Sequence, residues 1–294
     1  MKTIQSHLLV LFATFLVAGS FIASQKISGI IDPISLTLYR FVFATLLLAP
    51  FIFFQKKYRI KVVSTFTRAL TISLFYVLYF IGLFKALETT NALNTGTLFT
   101  IVPLITSVLA IFILKQKMNF KQLYTYLIGI VGTCIVIFKG DLELLLAFSL
   151  NQGDIIFLFA TTSMAFYSIS TKYFHKKDDE LLVLVFMTLV GGCIWMFLAL
   201  NILDIPLQWG KIEGVSFYYM LYLVIGATLM TVYLYQQASI NLGPKKVMAY
   251  VYLNPVAIAL LLFILEGVSI SLIESIGIII SAFATYILLK QKQH

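Results

Sequence analysis

Polar side chains recur within one of the most apolar stretches of the chain. Asn94, Thr97 and Thr100 follow one another at intervals of three residues, so a helix would carry them on one face, and Pro103 comes next. Amide and hydroxyl groups donate and accept hydrogen bonds, and a proline leaves a carbonyl of the preceding turn without its donor. The pattern predicts reversible binding of a polar solute at a cavity wall. Hydrogen bonding between helices around a packed kink is the alternative.

A second apolar stretch carries a similar set, with Tyr250 and Asn254 one helical turn apart and Pro255 adjacent. A tyrosine combines an apolar ring with one hydroxyl, which suits stacking or hydrogen bonding of a moderately polar metabolite. Tyrosines also form belts at membrane interfaces, so both interpretations of Tyr250 stay open. For Asn254 a binding cavity is favoured.

Further tyrosines and a glutamine extend the candidate set. Tyr233 and Gln236 can share a polar patch, with a cap or gate at the end of a helix as the alternative. Tyr79 is a candidate cavity residue, with aromatic packing as the alternative. We therefore predict eight substrate-binding residues, namely Tyr79, Asn94, Thr97, Thr100, Tyr233, Gln236, Tyr250 and Asn254, and two hinge residues, Pro103 and Pro255.

Arg40 is the most costly residue within an apolar stretch, because a charged side chain in hydrocarbon is expensive. In a functional role it could hold a carboxylate through two hydrogen bonds. In a structural role it could cap backbone carbonyls or pair with Asp32. The structural role is favoured from the sequence.

Catalytic patterns are missing from the sequence. The histidines, His7, His175 and His294, fall near the ends of apolar stretches, and no cluster of metal-ligating residues, Walker loop or TVGYG-like filter occurs. These absences argue against a metalloenzyme, an ATP-driven pump and a potassium channel. We predict a non-enzyme without a metal or cofactor. The scarcity of acidic residues within the apolar stretches favours facilitated or exchange transport over obligatory proton coupling.

Composition places these residues in a bilayer. The chain of 294 residues is 61% hydrophobic and 11% charged, and its mean hydropathy is +0.99. About 20 apolar residues are enough for a helix to cross the hydrocarbon core. Ten such spans are predicted, at residues 7–25, 33–54, 67–87, 91–114, 121–138, 151–171, 181–203, 215–239, 242–265 and 270–290.

The basic residues predict the orientation of these spans. With ten spans, the termini and the even-numbered loops share one side of the membrane, and most lysines and arginines fall there. The other side carries only Lys26, Lys85, Lys139 and Lys211. Because basic loops stay cytoplasmic, both termini should be cytoplasmic, and the net charge of +9 needs no nucleic-acid partner.

The two halves of the chain repeat each other. The letters LFAT open residues 11–14 and 158–161, and an alanine precedes a proline at the same interval in Ala86–Pro103 and Ala238–Pro255. Two units of five spans must lie in opposite orientations. Many secondary transporters are built in this way, with the substrate near the midplane between the repeats. We predict repeats at residues 1–140 and 150–294.

The order of these motifs resembles the EamA branch of the drug/metabolite transporter superfamily. The similarity rests on Tyr39-Arg40-Phe41, on Ala86, Leu87 and Thr90, and on the two prolines. It implies an all-α integral membrane protein of ten transmembrane helices in two inverted five-helix repeats, with a central cavity. Such proteins move amino acids, nucleotide-like compounds or drugs, usually outward. One departure is that the family's acid, seen as Glu266, is replaced in the first repeat by Lys115-Gln116-Lys117.

We therefore expect a secondary transporter that moves an amino acid-like metabolite across a bacterial inner membrane by alternating access, with export favoured. Uptake or exchange of a nucleoside-like metabolite such as S-adenosylmethionine, and drug efflux, are the alternatives. The expected partners are a small-molecule substrate and the lipid bilayer, without nucleic acid, and a homodimer is left open. The excess of lysine over arginine is typical of an AT-rich bacterial genome.

Overall fold

The computed structural model describes residues 2–115, 119–141, 143, 150–176, 178–242, 247 and 249–290, without the side chains of residues 2, 3, 137, 236, 237, 239–241 and 289. All regular secondary structure in these ranges is helical. Ten helices cross the bundle: α1 Lys2–Ile27, α2 Pro33–Phe53, α3 Val62–Ala86, α4 Ala92–Ile113, α5 Phe120–Ile137, α6 Gln152–Phe174, α7 Leu181–Ile202, α8 215–242, α9 Tyr250–Glu266 and α10 Leu272–Lys290.

Seven of these helices are long and apolar enough to span a membrane, and α5, α9 and α10 are shorter apolar helices. The all-α, ten-helix prediction is confirmed. Starts differ from the prediction by several residues at α3, which begins at Val62 rather than at residue 67, and at α9, which begins at Tyr250 rather than at residue 242, with residues 243–246 and 248 outside the described part. The first turns of α3 include Arg68, whose guanidinium is paired with Asp179 at 2.5 Å. The added residues 62–66 carry no charge, so the helix can begin directly after Lys61.

Short polar residues begin several of the helices. The Asp32 carboxylate accepts a hydrogen bond from the backbone N–H of Ile34 at 2.8 Å, and Pro33 opens α2. Asn91, Asn119 and Asn151 cap α4, α5 and α6 in the same way. Such caps satisfy backbone donors that the helix itself leaves free. The short connections of the sequence therefore fix where the helices start.

Three helices depart from regular α-helical geometry. In α4 a 3-10 turn, Phe99–Ile101, comes directly before the turn that holds Pro103. Helix α9 opens with a 3-10 turn, Tyr250–Leu253, before Pro255. These two 3-10 turns contact each other. In α8 a π-helical segment, Ile225–Met230, separates two α-helical parts. Irregular turns inside long helices often mark functional positions.

Helices of the two halves pack against each other. Helix α1 lies against α8 and α9, and α6 lies against α3 and α4. Helices α2 and α3 pack on α7, and α5 packs on α10. The main buried cluster accordingly draws residues from both halves, among them Phe21, Phe41 and Phe157. The bundle core is therefore an interface between the repeats, where both can contribute to one site.

Candidate functional site

Asn254 stands at the junction between the 3-10 turn and the regular part of α9. Its side chain is fully buried, and neither the amide nitrogen nor the amide oxygen has a hydrogen-bond partner among the described residues. A buried polar group without a partner costs free energy, so natural proteins keep few of them. Asn254 therefore presents one donor group and one acceptor to whatever enters this part of the bundle.

Tyr252 and Ser281 share this property. The hydroxyl oxygen of each is buried and without a partner in the described part of the chain. The Tyr252 ring lies against Gly129 of α5 and faces the ring of Tyr126 at 6.5 Å between centroids. The eight predicted substrate-binding residues do not include Tyr252 or Ser281, although Tyr252 is two residues from Asn254. Packing of α5 and α10 around α9 is what brings them into the core.

The predicted face of α4 makes its hydrogen bonds within the protein. Thr97 donates to the carbonyl oxygen of Leu93 at 2.6 Å. The hydroxyls of Thr100 and Thr133 hydrogen bond to each other at 2.5 Å across α4 and α5. The Asn94 amide nitrogen donates to Asp154 at 3.4 Å. These contacts join helices, and a substrate role for Asn94, Thr97 and Thr100 stays a prediction.

Tyr79 belongs to a cluster of buried aromatic rings. Its ring centroid lies 5.0 Å from that of Phe80, 5.6 Å from that of Phe99 and 6.1 Å from that of Phe157. Phe99 is the first residue of the 3-10 turn in α4. The aromatic cluster therefore extends from α3 of the first half, through α4, to α6 of the second half.

A second part of the same cluster surrounds Tyr76. This ring stacks on Tyr167 of α6 at 4.4 Å between centroids and on Phe41 of α2 at 5.5 Å. Stacked rings offer a flat apolar surface with hydroxyls at its edge. Such a surface can hold a ring or an aliphatic chain of a metabolite.

Arg40 lies against this aromatic cluster and is 1% exposed. Its Nε donates to the hydroxyl oxygen of Thr228 at 2.8 Å, and its Nη2 donates to the carbonyl oxygen of Ala227 at 3.3 Å. The guanidinium carbon lies 4.2 Å from the centroid of the Phe80 ring. Asp32, the partner considered from the sequence, instead caps α2. The contact with the Ala227 carbonyl agrees with the capping role.

The remaining predicted residues lie elsewhere. Tyr250 is 7% exposed, and its hydroxyl is hydrogen bonded to Nδ1 of His7 in α1 at 2.7 Å. Tyr233 is 60% exposed, so the structure does not bring its ring to the buried residues. The side chain of Gln236 lies outside the described part of the structure. Within the described residues, no group of three metal-ligating side chains occurs.

Both halves of the chain match one family. Residues 4–138 and 151–290 each match the sequence model of the EamA-like transporter family. The protein belongs to the EamA-like transporter family. The resemblance seen in the sequence is thereby confirmed, and the protein is a multi-pass membrane transporter of this family.

Individual relatives agree with this assignment. The uncharacterized transporter YyaM of Bacillus subtilis (strain 168) is 24% identical, and the match covers 95% of this chain and 92% of that protein. An uncharacterized transporter of Archaeoglobus fulgidus is 26% identical, with 99% of both chains covered. A solved crystal structure superposes with a TM-score of 0.68 at 17% identity, covering 96% of each chain. That structure supports the fold alone.

Proposed function

We propose that this EamA-like transporter is a secondary transporter that moves an amino acid-like metabolite across a bacterial inner membrane, with export as the favoured direction. The observation that carries the proposal is the meeting of the two 3-10 turns of α4 and α9, with the buried and unpartnered Asn254 beside them. Interrupted helices in the middle of a bundle are where secondary transporters hold their substrates.

The groups around this junction suit a small polar metabolite with an apolar part. The Asn254 amide supplies a donor and an acceptor, and the aromatic cluster of Tyr79, Phe80 and Phe99 supplies an apolar surface. A neutral or zwitterionic compound needs both kinds of contact. An amino acid fits this description.

Alternating access would use the same junction as its pivot. A 3-10 turn before a proline has fewer backbone hydrogen bonds than a regular helix, so it bends at lower cost. Pro103 and Pro255 are the proposed hinges, one in each repeat. The five-helix units at 1–140 and 150–294 would rock against each other, with both termini in the cytoplasm.

Uptake or exchange of a nucleoside-like metabolite, such as S-adenosylmethionine, is the second candidate. The stack of Tyr76 on Tyr167 favours it, because a purine ring can bind beside or between such rings. Drug efflux requires the same aromatic surface. A labelled substrate panel distinguishes these candidates.

The test is transport into proteoliposomes that hold the purified protein. Labelled amino acids, S-adenosylmethionine and a lipophilic cationic dye are offered in uptake and counterflow, with and without a pH gradient. We expect at least one amino acid to move, and Asn254→Ala to lower its initial rate about tenfold or more, as loss of a hydrogen bond to a charged group would. Asn201→Ala is the matched control, since Asn201 is exposed near the end of α7.

The outcomes separate the candidates. Transport of S-adenosylmethionine or the dye, without transport of amino acids, would replace the proposed substrate class. Normal transport by a folded Asn254→Ala protein would show that the substrate does not bind at the junction of the two 3-10 turns. Protease accessibility of a tag at each terminus in spheroplasts tests the cytoplasmic orientation, and crosslinking in native membranes tests for a homodimer.

A further inference from the structure

Arg40 carries a buried charge without a counter-charge among the residues that the structure describes. Arg40 is 1% exposed, and no described carboxylate lies within ion-pair distance of its guanidinium. A buried charge without a counter-ion is destabilising, and in membrane proteins such charges mark substrate or ion sites. The cost indicates that an anion binds here at some stage of the transport cycle.

One nitrogen of the guanidinium, Nη1, is buried and is not used by the described residues, so it could hold such an anion. Nε and Nη2 are occupied by Thr228 and Ala227, whereas Nη1 has no hydrogen-bond partner in the described residues. An arginine offers five N–H donors and no acceptor, so only an acceptor can bind to this nitrogen. Carboxylate oxygens are among the strongest acceptors for it.

The guanidinium is also held in a fixed orientation. The Thr228 hydroxyl donates to the carbonyl oxygen of Leu223 at 2.8 Å, so its oxygen faces Arg40 as an acceptor. Thr228 and Ala227 both belong to the π-helical segment of α8, and Phe80 covers one face of the guanidinium. A binding group that is already oriented loses little entropy when its ligand arrives.

The surroundings favour a single negative charge. The residues that interact electrostatically with Arg40 are the tyrosines Tyr76, Tyr79 and Tyr222, and the described lysines have their ion pairs at the ends of the helices. A phosphate dianion would keep a net negative charge in the core. A carboxylate would be neutralised by the one arginine.

We propose that Arg40 binds the carboxylate of the transported metabolite through Nη1, while the rest of the metabolite lies against the aromatic cluster of Tyr76, Tyr79 and Phe80. This inference rests on the proposed function, and it identifies the carboxylate as the part of the substrate that the site recognises. It also makes the shared chemistry clear, because amino acids and S-adenosylmethionine both carry an α-carboxylate.

The first test changes the ligand and leaves the protein intact. Thermal unfolding of the purified protein is followed with L-leucine, L-phenylalanine, L-methionine and S-adenosylmethionine, with the carboxamides of the three amino acids, and with inorganic phosphate. We expect at least one of the acids to raise the unfolding temperature, at a concentration about tenfold or more below that needed for its amide or for phosphate. Equal effects of acid and amide, no effect of any acid, or stabilisation by phosphate alone would overturn the inference.

The second test changes the arginine. Arg40→Gln should abolish the preference for the acid over the amide, and Arg40→Lys should keep part of it because the charge remains. Arg59→Gln, at an exposed site in a single-turn helix, is the matched control and should behave as the wild type. A folded Arg40→Gln protein that still prefers the acid would assign Arg40 to the capping role alone.

The experiments can contradict the two proposals independently. If acids and amides move equally well in proteoliposomes, the transport proposal is supported and the proposed carboxylate site is contradicted. If the acids raise the unfolding temperature through Arg40 but no compound is transported, the proposed carboxylate site is supported and the proposed transport function is contradicted.

Discussion

The two 3-10 turns, one inside α4 and one at the start of α9, each come before a proline but make different polar contacts. Before Pro103, in α4, the hydroxyl of Thr100 is hydrogen bonded to Thr133. Before Pro255, in α9, Asn254 and Tyr252 are buried with polar atoms that have no hydrogen-bond partner among the described residues. The polar group at the first 3-10 turn is therefore hydrogen bonded to a neighbouring helix, whereas those at the second have no partner in the described part of the chain. The two copies of this proline motif have therefore diverged in their polar contacts.

The same asymmetry separates α3 from α8. When Ala86 is aligned with Ala238, Tyr76 corresponds to Thr228 and Tyr79 corresponds to Thr231. The first copy therefore contributes aromatic rings, whereas the second contributes hydroxyls and the π-helical segment that holds Arg40. The two repeats therefore share a helical frame but line the core with different kinds of side chain, and under the proposed function this would suit a substrate with one polar and one apolar end.

Substitution of the glycines that pack near the two 3-10 turns should give the largest difference in stability between the two regions. A Cβ on Gly129 would overlap the ring of Tyr252, whereas a Cβ on Gly96 would meet the flexible end of Ile258. We expect Gly129→Ala to destabilise the protein by about 3 kcal/mol, since overpacking against a rigid ring forces the backbone to shift, and Gly96→Ala by roughly 1 kcal/mol. Unfolding in mixed micelles with increasing denaturing detergent measures both. Equal losses would contradict the comparison.

Removing the Asn254 amide and removing the Thr100 hydroxyl should change the free energy of unfolding in opposite directions. Asn254→Leu deletes an unpartnered buried amide, so we expect it to raise the free energy of unfolding by about 1–2 kcal/mol while abolishing transport. Thr100→Val deletes a hydroxyl that is hydrogen bonded to Thr133, so we expect the free energy of unfolding to fall by about 1 kcal/mol. Thermal unfolding and initial rates are measured on the same preparations. A destabilised Asn254→Leu protein would show that the amide has a structural partner.

The ion pair at the start of α3 should give the smallest effect. Hydrogen bonds from Arg68 hold the pKa of Asp179 below its ordinary value of 3.8. A lowered pKa stabilises the folded state above the pKa of the unfolded state, and this contribution is lost as the pH falls through the folded-state pKa. Between pH 6 and about pH 4 the wild type should keep this contribution and lose it only below that range.

Asp179→Asn should remove this acid-dependent step. The unfolding temperatures of wild type and Asp179→Asn, measured from pH 6 to about pH 3, should differ most at pH 6 and converge at the acid end. Asp178→Asn is the matched control, because the Asp178 side chain is mostly exposed and its carboxylate lies 4.0 Å from the Lys61 Nζ, whereas the Asp179 carboxylate lies 2.5 Å from Arg68. A constant difference across the range would show that the pair does not titrate as described.

The sequence was sufficient to find the helices and some of the polar residues within them. Asn254 was identified because an amide beside a proline is conspicuous in an apolar stretch, and the structure leaves it buried and unpartnered. Tyr233 is predicted from its spacing of one helical turn to Gln236, but its ring is 60% exposed. Periodicity places residues on a face of a helix and does not say which neighbour covers that face. Arg40 was noticed for its cost, yet its environment was not predictable.

The sequence by itself determined the protein class, the number of helices and the inverted repeat. Apolar length and basic residues can be seen in each segment, and the repeat can be seen by comparing two segments of the sequence. The tertiary structure decided which polar groups find partners. Thr100 meets Thr133 across two helices, and Arg40 meets Thr228 at a π-helical segment formed far along the chain. Such pairings depend on helix rotation and on backbone irregularities, which arise only when both repeats pack around one core.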